Sequence, residues 1–232
     1  MTDRETKLIV VGGSSDRTAI ADAAPRSLRA WTWVGVIGLA VFVTVVAAQG
    51  VLLVPGFDPG HQEISEYVHS PAGAAMEVGF LCWALSLAAL ARLTARIDWS
   101  AGGDRLACCQ AGALLFAAVA VIVLAIFPTD RGAEVPGVVT HGSLAGQIHD
   151  AASASTTLGI LVAVLIGAAR RGGPIRALSL ALLGIAIVSG TVLLVIGDPL
   201  PGGRQRALVA AGCLWQAAWL LEMRRDVIPT SA

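Results

Sequence analysis

Long apolar runs alternate with short polar connections along the chain, and six of the runs reach membrane-spanning length. They cover approximately residues 31–54, 72–90, 106–127, 151–169, 177–196 and 207–221. About 20 apolar residues are needed to carry a helix across hydrocarbon, where backbone amides find partners only within the helix itself. The pattern therefore predicts an all-α, polytopic membrane helix bundle with about six transmembrane helices. The last run is shorter and contains Trp215 and Trp219, amphipathic rings expected at the headgroup layer. A spanning domain over 29–226 is expected between a loose cytoplasmic tail at 1–28 and a short tail at 227–232. The apolar stretch at 8–11 is too short for a signal-peptide core.

Composition agrees with this pattern. The chain is 56% hydrophobic and 14% charged, well under the roughly 25% charged share of soluble domains. Its zero formal net charge gives no electrostatic case for nucleic acid. Cys82, Cys108, Cys109 and Cys213 all fall inside apolar runs, so they read as packing residues rather than a disulfide or metal framework. Ten of the thirteen arginines after residue 25 fall before the first run, after the last, or in the second and fourth connections. Basic residues are retained on the cytoplasmic side of short loops, which predicts a multi-pass cell-membrane protein with both termini cytoplasmic and connections 1, 3 and 5 outside.

The polar chemistry gathers on the predicted outer side. His61, His69, His141 and His149, all four histidines of the chain, lie in connections 1 and 3 with Asp58, Glu63, Glu66, Asp130, Glu134 and Asp150, and connection 5 adds Asp198. His61, Ser65 and His69 are four apart and would line one face of an α-helix. His141 and His149 are eight apart, and Ser153 and Thr156 extend that stripe into the membrane. Two readings follow. The histidines would ligate zinc or another divalent metal, or they would act with Ser65, Glu66, Asp130, Asp150 and Asp198 as acid–base groups. A plainer structural role competes with both: interfacial histidines and acids that cap helices, as Asp150 would before helix 4. Glu77, about two turns into helix 2, is a functional candidate because an intramembrane carboxyl is costly unless paired or facing a polar cavity. Gln110 and Gln216 are milder candidates of the same kind, with a plain role as interhelical hydrogen-bond partners as the alternative. Arg204 and Arg206 oppose the inside bias, and Arg206 would either bridge to Asp198 or hold an anionic group. Val68-His69 and Ile148-His149 each lead into a helix, a weak internal likeness that hints at a duplicated hairpin.

Ile64-Ser65-Glu66, Phe127-Pro128, His141, His149, and Gly203-Arg204-Gln205-Arg206 with Trp215 after it resemble the prokaryotic membrane family called domain of unknown function 998. The resemblance spans helices 1 to 6 and implies no reaction. A more distant likeness is to the transmembrane hydrolases that include alkaline ceramidases and adiponectin-receptor-like proteins. It implies serine, aspartate and histidine around zinc, with Ser65, Asp130 and the histidines supplying the residue types. Those proteins have seven spans and paired histidines in the last, whereas helix 6 here has none.

The leading expectation is a membrane enzyme that acts on a lipid-like or isoprenoid-like substrate at the outer face, by hydrolysis or by acid-catalysed cyclisation with Glu66 or Glu77 as proton donor. The partner would be membrane lipid or another hydrophobic small molecule. The rivals are a small transporter or channel using Glu77, and a non-catalytic subunit that binds lipid or a partner protein.

Overall fold

The computed structural model describes residues 14–52, 58–100, 104–130, 142–197 and 200–227. Its described elements are all helical: α1 (Ser14–Leu52), a short 3-10 helix η1 (Ile64–His69), α2 (Gly73–Ser100), α3 (Arg105–Ile126), α4 (Leu144–Arg170), α5 (Gly173–Ile196) and α6 (Pro201–Val227). The chain is an integral, polytopic membrane protein. Five segments, in α1 to α5, are long and apolar enough to cross a bilayer. The sixth expected run lies within α6, whose polar ends carry Arg204, Gln205 and Arg206 at one side and Glu222, Arg224 and Arg225 at the other. α1 begins at Ser14, inside the segment expected as a tail.

α2 is the central helix, packed against α1 and α3, while α3 packs on α4 and α5 sits at the edge beside α4 and α6. Close approach of α1 and α2 requires Gly38, because a Cβ there would lie 2.5 Å from the Cys82 carbonyl oxygen. Such contacts between small residues let membrane helices gain dispersion energy where lipid gives no hydrophobic push. Phe42 of α1 then stacks on Trp83 of α2 with ring centroids 4.6 Å apart.

Buried polar atoms join helices that are remote in sequence. The Trp83 indole N–H donates to Gln216 Oε1 at 3.1 Å, and Gln216 Nε2 donates to Ser86 Oγ at 2.6 Å. Ser86 Oγ in turn donates to the Gly35 carbonyl at 2.6 Å, so one chain of bonds crosses α6, α2 and α1. Gln110 does the same for α3 and α4: its Nε2 donates to the Ala163 carbonyl, and its Oε1 accepts from Arg170. Both glutamines thus take the interhelical role. Trp215 and Trp219 differ from expectation. They are 1% and 0% exposed, tilted against each other within the core, and Trp215 donates to Ser179 Oγ of α5 at 2.9 Å. Burying two rings of this size, with a hydroxyl inside the bundle to receive the Trp215 N–H, outweighs their headgroup preference.

At one rim, arginines lie over indoles: Arg92 over Trp31, Arg224 over Trp33 and Arg171 over Trp219. Asp104 caps α3 and accepts from Arg170 at 2.7 Å on the same rim. The opposite rim holds η1, the end of α3 and the starts of α4 and α6.

Candidate functional site

η1 is a 3-10 helix rather than an α-helix, and this breaks the expected stripe of His61, Ser65 and His69. At three residues per turn, positions four apart point about a third of a turn away from each other. Pro71 pushes Ser70 into an extended conformation (φ −79°, ψ 163°), so the segment cannot run on as a helix. His61 precedes η1 and pairs locally, its Nδ1 lying 2.7 Å from Asp58 Oδ2. That contact and the Gly60 N–H hold the Asp58 carboxyl below its ordinary range. Glu66 closes a capping box with Glu63, its Oε1 accepting the Glu63 N–H at 2.9 Å.

His69 and His149 grip the same piece of backbone. His69 Nε2 donates to the Thr129 carbonyl at 2.8 Å, and His149 Nδ1 donates to the Phe127 carbonyl at 2.7 Å. In a duplicated hairpin, His69 would hold the segment after α1 as His149 holds the one after α3. It holds the α3 end instead, and it lies before α2 whereas His149 lies inside α4. The structure therefore gives the internal likeness no support.

α4 starts at Leu144, seven residues before the expected 151, because Ser143 caps it by accepting the Gly146 N–H. Asp150 consequently sits inside the helix, exposed, and does not cap it. The acid at this terminus is Asp130, which accepts from Ser143 Oγ at 2.6 Å and from Ser143 N–H at 2.8 Å. Those bonds, with the nearby His69 adding to them, hold its carboxyl below the ordinary 3.8. A carboxyl whose pKa is lowered on folding adds stability in full above its unfolded value and loses it as pH falls through the folded one. Asp130→Asn is expected to melt below wild type at pH 7, with the gap closing below about pH 4. Thermal unfolding in detergent across that range measures it, and a gap independent of pH would contradict the assignment.

Two cavities flank this rim. A polar cavity of about 170 Å³ is lined by Ser65 and Glu63 of the η1 segment, by His149, Ser153, Thr156 and Thr157 of α4, and by Arg204 and Gln205 of α6, with apolar residues of α1, α2 and α3 beneath. The expected polar stripe of α4 is thus brought against Ser65. Ser65 and His149 are 3% and 4% exposed, and Ser65 Oγ has no hydrogen-bond partner. Gln205 pins the segment in place, its Oε1 accepting from Ile64 N–H at 2.6 Å and its Nε2 donating to Glu63 Oε2 at 3.0 Å. The second space is an open groove of about 880 Å³ between α1 and α6, apolar along its length, with Pro59, Tyr67 and Arg206 at the end nearest η1. Phe42, Ile64 and Val209 line both spaces and form a common wall.

Arg206 fixes the loop on α6 by donating to the Pro59 and Gln62 carbonyls, each at 2.6 Å, and to Tyr67 Oη at 3.3 Å. Gly202 fits beneath, since a Cβ there would overlap the Gln62 carbonyl. Asp198, the other partner considered for Arg206, and His141 lie outside the described residues. Glu77 faces outward on α2 and lines neither cavity. Among the described residues no group of three or more His, Cys, Asp or Glu is placed to hold a metal ion. Sequence reasoning passed over Tyr67 and Thr157. Tyr67 had a signal, being the chain's single tyrosine and lying within the first connection beside Ser65 and Glu66.

The family model described as Protein of unknown function (DUF998) matches residues 23–222. The chain belongs to the DUF998 family. The match runs from within α1 to near the end of α6, so both cavities lie within the DUF998 region. No curated protein and no solved structure matches this DUF998 chain. The likeness to alkaline ceramidases and adiponectin-receptor-like proteins gains no support from these comparisons.

Proposed function

We propose that this DUF998 protein is a six-span cell-membrane protein, both termini cytoplasmic, that binds a lipid-like amphiphile on its outer side. The observation that carries the reading is the α1–α6 groove: about 880 Å³, apolar along its length, with Arg206 and Tyr67 at the end nearest η1. A groove of that size suits an acyl or isoprenoid chain, and polar groups at one end suit a headgroup at the interface. The orientation rests on the arginine-rich rim being the cytoplasmic one. We read α6 as the sixth span because Gln216 and Trp215 are buried and hydrogen-bonded to α2 and α5, and Trp219 is buried against the Trp215 ring.

A one-sided site fits the polar lining better than a through-pathway does. The polar cavity occupies the outer end, and the polar side chains Gln110 and Gln216 further in are bonded to other helices. Enzymatic turnover is the second reading, favoured by Ser65 and His149 lining one cavity beside the groove. Release of fatty acid from a monoacylglycerol by wild type, but not by Ser65→Ala, would establish it.

Ala47 lines the groove from an exposed position on α1. Ala47→Trp is expected to fold normally and to lose most of the lipid that wild type retains through detergent purification, read by native mass spectrometry. Equal retention by the two proteins would remove the groove from the proposal.

A further inference from the structure

The lone pairs and N–H groups around the polar cavity say what kind of group it would take. His149 donates through Nδ1 to the Phe127 carbonyl, so a neutral imidazole leaves Nε2 as an acceptor. Thr156 and Thr157 spend their hydroxyl protons on the Ala152 and Ser153 carbonyls, which leaves their oxygens able only to accept. Glu63 adds carboxylate oxygens. On the donor side stand the Arg204 guanidinium and the Ser65 hydroxyl, which is buried without a partner and can both give and accept. The space, about 170 Å³, far exceeds the roughly 10–15 Å³ that one water requires.

We infer that the cavity binds the hydroxyl-bearing, uncharged headgroup of an amphiphile, a glycerol-like polyol, whose chain lies in the α1–α6 groove. This inference rests on the groove reading. A polyol hydroxyl gives a proton to His149 Nε2 and accepts one from Ser65, so it satisfies both at once. A phosphate could meet the Arg204 guanidinium and Ser65, but its mostly acceptor oxygens would also face the lone pairs of His149, Thr156, Thr157 and Glu63. The common wall of Phe42, Ile64 and Val209 sets the cavity alongside the outer half of the groove, where a headgroup would lie.

The test compares two probes that share a chain, hexadecylglycerol joined by an ether and hexadecyl phosphate, and reads their retention on the intact purified protein by native mass spectrometry. The ether removes hydrolysis from the measurement. His149→Asn keeps a donor near the position of Nδ1 and removes the acceptor at Nε2, so the Phe127 contact and the fold should survive. Ser65→Ala removes the orphan hydroxyl. Each variant is expected to weaken hexadecylglycerol roughly fivefold, the effect of one net hydrogen bond, and to leave hexadecyl phosphate unchanged. No change in either probe, or an equal loss of both, would overturn the polyol assignment while leaving the groove standing. Retention of both probes by Ala47→Trp at the wild-type level would instead overturn the groove reading itself.

Discussion

Gln216→Leu is expected to be among the most damaging single substitutions in this protein, lowering its stability in detergent by about 2–5 kcal/mol. Leucine fills similar space but strands the Trp83 indole N–H, whose partner in the fold is Gln216 Oε1, and takes from Ser86 Oγ the N–H it accepts. Trp83 is 5% exposed and Ser86 fully buried, so solvent cannot take over. Each stranded group carries its own desolvation penalty, and the two losses fall at one junction of α1, α2 and α6. Gln216→Glu offers the contrast. It keeps an acceptor for Trp83 but loses the donor to Ser86, and it places an ionisable group in the core. If Gln216→Leu melted within about 0.5 kcal/mol of wild type, the range of an ordinary surface change, the network would carry none of the stability assigned to it.

Gly38→Leu is expected to prevent assembly of the bundle rather than merely weaken it. The Cβ alone would lie 2.5 Å from the Cys82 carbonyl oxygen and 3.3 Å from Ser86 Cβ, and neither neighbour is a flexible side-chain tip. Relief requires α1 to move off α2, which pulls apart the Phe42–Trp83 stack and the Ser86 bond to Gly35. Overpacking of a tight core ordinarily costs about 1–3 kcal/mol, and here loss of the helix contact adds to it. Size-exclusion profiles of detergent-extracted protein report the outcome: aggregated material for Gly38→Leu, with Gly112→Leu as the control, since Gly112 has no atom within 4 Å of its Cβ position. A sharp folded peak for Gly38→Leu would contradict the close contact.

The helices were legible because a bilayer demands long, uninterrupted apolar runs, and α2, α3 and α5 begin within a few residues of the expected positions. Helix starts with polar first turns were not legible. Gln147, His149 and Asp150 made the first turns of α4 read as loop, while the acid that steadies its cap, Asp130, is thirteen residues away from Ser143. Likewise Arg204, Gln205 and Arg206 made the start of α6 look like a connection, although Gln205 and Arg206 find partners about 140 residues earlier, in and around η1. No local pattern encodes pairings at that range.

The site was legible in part and for a similar reason. Residue type and shared membrane side pointed to Ser65 and His149, and the α4 stripe predicted which neighbours they would meet. The four-residue spacing of His61, Ser65 and His69 misled, because it assumed an α-helix where Pro71 and a short connection permit only a 3-10 turn. Glu66 and Asp130, expected as carboxylate partners of a reaction centre, each hold a nearby backbone or cap in this structure, as Asp58 does in its own turn. A carboxylate that steadies a turn and one that serves catalysis have the same letter in a sequence.

The bond between Trp83 and Gln216 also fixes a waiting time during biosynthesis. The two residues are 133 positions apart, and at about 5–20 residues per second a ribosome takes roughly 7–27 s to make that stretch. Ser86 can reach the Gly35 carbonyl as soon as the first two helices meet, so the nascent hairpin settles most of its polar groups early. The Trp83 N–H stays without its final acceptor until α6 packs onto the bundle. The partly made protein therefore carries one buried polar debt for most of its synthesis, and a chain truncated before residue 216 never discharges it.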